Sequence, residues 1–245
     1  MRNLKAAVFI LLLAFTSLIV GGLMLLTFFR GGNFCRVFVI RPVFSFGLWL
    51  YGIRYRIYGL ENRPKVPCIY ISNHRSVVDF MLVGAMDFPR TRFFISATNK
   101  RYWPLKLFAL AVPLFFIPTQ KFPEERTRTF ENAEKVLRET RDSVYLSPEG
   151  DRIPRHQVEP FNKGAFHLAT NLKIPISPFY IHVPADVNQG RGFDVKQGTI
   201  DVHFLPFIDT RSWQLTDLLK NKDAIYKTMV EFEKKVTADE KPVSL

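Results

Sequence analysis

Cysteine is scarce in this chain of 245 residues, which holds only Cys35 and Cys68. Two thiols support neither a disulfide framework nor a cysteine zinc site, and Cys35 falls in an apolar stretch, so both read as packing residues. No G-x-S-x-G elbow occurs, and Cys68 sits in a strand-like run without an activating neighbour, which removes the usual nucleophilic hydrolase signatures. Internal repeats and low-complexity tracts are also missing. Acidic residues are few, with 22 Asp and Glu against 34 Lys and Arg, for a net charge of +12. Such an excess favours partners that carry phosphate: nucleic acid, an anionic membrane or a phosphorylated small molecule. No nucleic-acid-binding signature accompanies the charge.

Apolar residues are abundant, at 47% of the chain with 24 Phe, enough for one sizeable core but short for two catalytic domains. One catalytic domain with an appendage is the expectation. From Ala6 to Phe29 no residue is charged, and 24 residues at helical rise extend roughly 36 Å, sufficient to cross a hydrocarbon layer with some tilt. The stretch exceeds a usual signal-peptide core and no small-x-small site closes it, so it reads as an uncleaved anchor. A second apolar stretch, Val37 to Ile53, contains Arg41, Pro42 and Gly47 as well as the interface-favouring Trp49 and Tyr51; it reads as a returning or an interfacial helix. Residues 1–53 are accordingly expected to anchor the chain and 54–245 to form the catalytic domain.

Beyond Arg54, short β-branched and aromatic runs alternate with helical patterns, which predicts an α/β domain. Strands are expected at Tyr55 to Tyr58, Cys68 to Ser72, Arg92 to Ser96, Leu114 to Ile117, Ser143 to Leu146, Ile176 to Val183 and Thr199 to Phe204. Helices are expected at Val77 to Met86, Trp103 to Leu110, Glu124 to Arg141, Gly164 to Asn171 and an amphipathic Thr216 to about Val236.

The apolar run Ile69-Tyr70-Ile71 ends abruptly in Ser72-Asn73-His74-Arg75-Ser76, before another apolar stretch. Strand, polar turn, helix is a frequent site for functional side chains, because the sheet fixes what the turn exposes. An imidazole titrating near pH ~6.5 is suited to take a proton from a hydroxyl, provided its ring is held in one tautomer. Asp79 is placed to do that only if His74 lies in the turn and Asp79 in the first helical turn, since five residues on one helix span roughly 500°. Ser76-Val77-Val78-Asp79 also fits a capping box, with Asp79 serving backbone donors instead. Spacing alone leaves both roles open.

Asn73-His74-Arg75-Ser76-Val77-Val78-Asp79 resembles the N-H-x-x-x-x-D signature of the glycerolipid acyltransferases related to 1-acylglycerol-3-phosphate O-acyltransferase, the lysophosphatidic acid acyltransferase family. Ser147-Pro148-Glu149-Gly150-Asp151-Arg152 resembles that family's P-E-G-T-R block, and Phe161-Asn162-Lys163-Gly164-Ala165-Phe166 the segment that follows it. Ile174-Pro175-Ile176-Ser177-Pro178 resembles the final apolar-proline block, so the likeness runs over about residues 55 to 205 in family order. It implies a single acyltransferase-like domain with a mixed central sheet between helices. It further implies that His74 and Asp79 act as a base dyad moving an acyl group from acyl-CoA or acyl carrier protein to a lysophospholipid hydroxyl. Asn73, Lys121, Glu149, Gly150 and Arg152 would contact substrate, with backbone amides of residues 73 to 76 or the Asn73 side chain as oxyanion donors. No metal or other cofactor is implied, and a cytosolic donor places the domain on the cytoplasmic face of a membrane.

Two departures bear on the acceptor. The family's F-I-D-R-like segment reads Phe116-Ile117-Pro118-Thr119-Gln120-Lys121 here, so Thr119 stands at the arginine position and the phosphate contact falls to Lys121 or Arg126. Asp151 replaces a threonine beside Arg152. A different lysophospholipid or lipid acceptor is the alternative within enzymes, and a membrane-binding scaffold the alternative outside them.

Overall fold

The first 50 residues fold back on themselves. In the computed structural model, which describes residues 2–150, 157–188, 192 and 194–238, α1 (Arg2–Leu26) leads to a turn at 27–31. There α2 (Gly32–Phe34), a π-helical stretch Cys35–Ile40 and α3 (Arg41–Leu50) return as one rod. Thr27 shapes the turn, its hydroxyl donating to the Leu23 carbonyl and accepting from the Gly31 amide. Both arms are long and apolar enough to cross a membrane, with mean hydropathy 2.6 for Leu4–Leu26 and 1.2 for Gly32–Leu50.

A seven-stranded sheet follows. Its strands are β1 (Ile53–Tyr58), β2 (Ile69–Ser72), β3 (Thr91–Ser96), β4 (Leu114–Ile117), β5 (Ser143–Leu146), β6 (Ile176–His182) and β7 (Gly198–Phe204). They lie in the order β1-β7-β6-β2-β5-β3-β4. The helices are α4 (Val77–Ala85), α5 (Trp103–Ala111), α6 (Pro123–Thr140), α7 (Gly164–Leu172) and α8 (Leu218–Ala238). Each expected strand and helix of the catalytic domain is present, because strands bounded by polar turns and helices with one apolar face leave clear periodicities.

Strands β6, β2, β5, β3 and β4 are mutually parallel, as helical crossovers require. The last strand, β7, is antiparallel to β6, and β1 is parallel to β7. One edge of the sheet therefore collects the C-terminal ends of the five parallel strands and the N-terminal ends of β1 and β7. All of β2 is buried, as its unbroken apolar run demands. Alternate residues serve two cores. Tyr70, Phe179 and Ile181 face a core shared with α4, α5 and the hairpin, while Ile69, Ile71, Ile176 and Tyr180 face one shared with α6, α7 and α8.

Sequence sets the hairpin apart as an anchoring segment, yet it shares the first core with the catalytic domain: Phe9, Val20, Met24, Phe44, Leu48 and Tyr51 are buried there. Missing side chains permit the close approach. A Cβ on Gly47 would lie 2.4 Å from the Phe9 ring, and one on Gly84 of α4 would lie 2.4 Å from the Phe44 ring. Phe44 also meets Phe80 edge-on, with ring centroids 5.0 Å apart. The opposite side of the hairpin leaves Leu11, Phe15, Leu18, Phe38 and Trp49 exposed, an apolar stripe of the kind that marks an interaction surface. Gly84→Ala should force the hairpin from α4 and cost about 1–3 kcal/mol, the scale of overpacking in a filled core. Thermal unfolding in detergent should show a lowered midpoint; an unchanged midpoint would mean that the hairpin is not held by this contact.

Candidate active site

Where β2 ends, the chain turns sharply and its polar groups are consumed one by one. Asn73 is buried, its amide oxygen accepting from the Ile181 amide at 2.8 Å and its amide nitrogen donating to the Ile181 carbonyl at 2.9 Å. The side chain thereby prolongs the pairing of β2 with β6 past the end of the strand. Ser72 Oγ lies 2.9 Å from Tyr145 Oη on β5, fixing the turn from the other side.

Asp79 sits in the first turn of α4, buried, and its Oδ2 accepts from the Arg75 amide at 2.7 Å and the Ser76 amide at 2.8 Å. The same oxygen is 3.2 Å from His74 Nδ1. Ser76 Oγ accepts from the Val78 amide at 3.0 Å, completing a capping box. Both roles open to Asp79 are thus held at once: it caps the helix and meets the imidazole. The His74 side chain is 30% exposed against 3% for Asp79, so the ring is reachable while its partner is not.

These geometries bear on two expectations. Asn73 has both ends of its amide engaged by β6. The amides of Arg75 and Ser76 are engaged by Asp79 Oδ2.

Glu149 lies just past β5, buried, with its Oε1 unpartnered. Burial pushes its pKa up to about 8, the nearby Arg75 guanidinium only partly opposing that rise. That pKa favours the neutral acid at pH ~7. Gly150 follows with φ +87, a left-handed conformation, and a Cβ there would sit 2.8 Å from Asn162 Nδ2. Asn162 in turn donates to the carbonyls of Pro148 and Glu149, each at 3.1 Å, and so moulds the loop. Arg152, with Asp151, falls outside the described residues.

Lys121 is exposed on the turn after β4, on the same sheet edge as His74. Two strands separate β4 from β2, which puts the exits about 14 Å apart. Beside it Lys100, leaving β3, lies 5.4 Å from the Phe116 ring centroid, a cation held over β4. Arg126 donates to the Pro118 carbonyl at 2.7 Å, a role in shaping the turn.

Sequence reading passed over three residues. Glu233 of α8 is buried, pairs with Arg75, and accepts from the Val158 amide at 2.8 Å and from Tyr180 Oη at 3.1 Å. Asn188 accepts from Ser76 Oγ at 2.7 Å. Together with Asn162 they act across long sequence separations, where no local spacing announces them; a glutamate on the apolar face of α8 was the one visible sign.

A family model described as Acyltransferase matches residues 54–182. The chain belongs to that acyltransferase family. Human 1-acyl-sn-glycerol-3-phosphate acyltransferase beta is 29% identical over 185 residues, which is 74% of this chain and 65% of that protein. Mouse 1-acyl-sn-glycerol-3-phosphate acyltransferase alpha is 27% identical over 216 residues, 86% of this chain and 74% of the mouse protein. The Limnanthes alba 1-acyl-sn-glycerol-3-phosphate acyltransferase is 30% identical over 184 residues, 73% of this chain and 64% of its own. In fold, the acyltransferase resembles the crystal structure of the 1-acyl-sn-glycerophosphate (LPA) acyltransferase of Thermotoga maritima, with TM-score 0.75 at 17% identity, covering 98% of this chain and 100% of that one.

The raised pKa of Glu149 has a definite sign in stability. Unfolded, the carboxyl ionises near 4.5; folded, near about 8, so between those values the native state holds the extra proton. This contribution is fully present below about 4.5 and is lost as pH rises through about 8. Glu149→Gln keeps a neutral side chain and should flatten that fall, read as urea midpoints at a series of pH values. An unaltered slope would show that the carboxyl is ionised in the native state.

Proposed function

We propose that this acyltransferase transfers a fatty acyl group from an acyl thioester, on CoA or acyl carrier protein, to the free hydroxyl of 1-acyl-sn-glycerol-3-phosphate, giving phosphatidic acid. The observation that carries the chemistry is the exposed His74 ring with Nδ1 against a buried carboxylate. A proton kept on Nδ1 by Asp79 leaves the Nε2 lone pair to accept the hydroxyl proton. The acceptor oxygen then attacks the thioester carbonyl and the thiolate departs, taking its proton from the imidazolium that Asp79 stabilises. No covalent acyl-enzyme is needed.

The acceptor assignment is supported by the names of the relatives and by the cations at the β3 and β4 exits, Lys100 and Lys121. A phosphomonoester suits such a group. Thr119, without a guanidinium, favours a second reading in which another lysophospholipid is the acceptor. The exposed apolar stripe of the hairpin fits burial in a bilayer, and a cytosolic donor places the catalytic edge on the cytoplasmic face.

Membranes holding the protein, given labelled acyl-CoA and a panel of lysolipids, test this directly. Lysophosphatidic acid should be preferred, and His74→Ala should lose about a thousandfold in kcat while remaining folded and membrane-bound. Retention of a tenth of the turnover would remove His74 as the base. Lys121→Met should raise the acceptor KM by about tenfold, the scale of a charged hydrogen bond. Equal use of uncharged lysolipids by the unaltered enzyme would contradict the phosphomonoester assignment and favour the second reading.

A further inference from the structure

At the hairpin end of the catalytic edge is a cavity of about 710 Å³, lined by Lys5, Trp49, Tyr51, Gly52, Lys196 and Gln197 among others, with no carboxylate in its wall among the described residues. Its volume is that of a small-molecule site. Lys5 Nζ lies 5.7 Å from the Tyr51 ring centroid, and Trp49 is 69% exposed. Two ammonium groups with a flat aromatic surface make a place for phosphate attached to an organic body.

The cavity is tied to the catalytic turn in three ways. Gly52 leads directly into β1 and Gln197 into Gly198 of β7, and those strand starts share the edge on which β2 ends. β1 is three strand spacings from β2, or about 14 Å. Alongside, α3 lies against α4 through Phe44, Phe80 and Gly84, and Leu50 and Tyr51 pack in the same core as Val77, the residue after the turn. The segment carrying Lys196 is hydrogen-bonded back to the turn: Ser76 Oγ donates to Asn188 Oδ1 at 2.7 Å, Asn188 Nδ2 donates to the Asp194 carbonyl at 2.7 Å, and the Lys196 amide donates to the Val187 carbonyl at 2.8 Å.

Cations therefore flank His74 on two sides, Lys100 and Lys121 beyond β5 and Lys5 and Lys196 beyond β6. A reaction joining two phosphorylated substrates needs two such places, with the thioester and the hydroxyl meeting between them. We propose that the cavity at Lys5 and Lys196 receives the phosphate of the acyl donor's phosphopantetheine carrier. This rests on the thioester-donor reading above. The pantetheine arm spans from the cavity to His74, and the acyl chain continues along the apolar side of the hairpin.

The full-length protein in detergent, with Lys5→Met, Lys196→Met or both, is assayed with palmitoyl-CoA, palmitoyl-acyl carrier protein and the phosphate-free palmitoyl-pantetheine. The double variant should raise the KM of the phosphorylated donors by about tenfold or more, and their advantage over palmitoyl-pantetheine should collapse. Whichever phosphorylated donor loses more is the one the cavity accommodates. An unchanged ratio, or a rise confined to the acceptor KM, overturns the assignment. A second measurement is independent of turnover: CoA should shield Lys5 and Lys196 from acetylation by acetic anhydride, read by mass spectrometry, and pantetheine should not. Shielding by phosphatidylglycerol vesicles without shielding by CoA would assign the cavity to a lipid headgroup and overturn the proposal. Failure of the unaltered protein to transfer any acyl group would count against the proposed function, leaving the shielding result to decide the cavity.

Discussion

A single carboxylate oxygen, Asp79 Oδ2, organises the catalytic turn. It accepts from the amides of Arg75 and Ser76 and meets His74 Nδ1, so that the backbone path from β2 into α4 and the direction of the imidazole are set by one atom. Charge-assisted bonds to backbone amides are strong in a buried setting, and the N-terminus of a helix favours the negative charge that makes them. An Asp at this position is therefore a structural cap whose remaining lone pair is available to the histidine. A substitution at Asp79 therefore removes the helix cap and the contact with the ring together.

Around this contact the protein places two more acids with different tasks. Glu149 is buried, and that burial favours its neutral form. Glu233 pairs with Arg75 and draws in Val158 and Tyr180, so α8 reaches across the second core to clamp the residue that follows His74. The arginine next to His74 is thus a structural cation, sandwiched against the Tyr180 ring at 5.8 Å. Exposed cations, Lys100 and Lys121, stand at the strand ends instead.

Much of this was legible in the residues. Ile69-Tyr70-Ile71 before a polar turn, and Phe130, Ala133, Val136 and Leu137 at helical spacing, reported their elements because local periodicity records which side is buried. His74 and Asp79 were singled out by spacing and by resemblance together, and the structure brings them within 3.2 Å. Strand order was not legible: β5 inserts between β2 and β3, and β1 joins β7 across 145 residues of sequence from Arg56 to Asp201, pairings that long-range packing decides. The bonds of Asn73 to β6 were not legible, because a polar side chain in a turn looks available until the neighbouring strand that engages it is seen. The packing of the hairpin on the first core was not legible for a related reason. An apolar helix that faces a bilayer on one side and a protein core on the other has the composition of one that faces lipid all round, and only Gly47 and Gly84 hinted at close packing.

The claim that Asp79 sets the tautomer of His74 is tested most directly by nitrogen NMR of the histidine ring in the full-length, detergent-solubilised protein labelled at its imidazoles. At a pH where the ring is neutral, the His74 signal should show a protonated, hydrogen-bonded Nδ1 and an unprotonated Nε2, with the pattern lost in Asp79→Asn. A neutral ring carrying its proton on Nε2 would contradict the account, because the nitrogen facing the acceptor would then have no lone pair to take the hydroxyl proton.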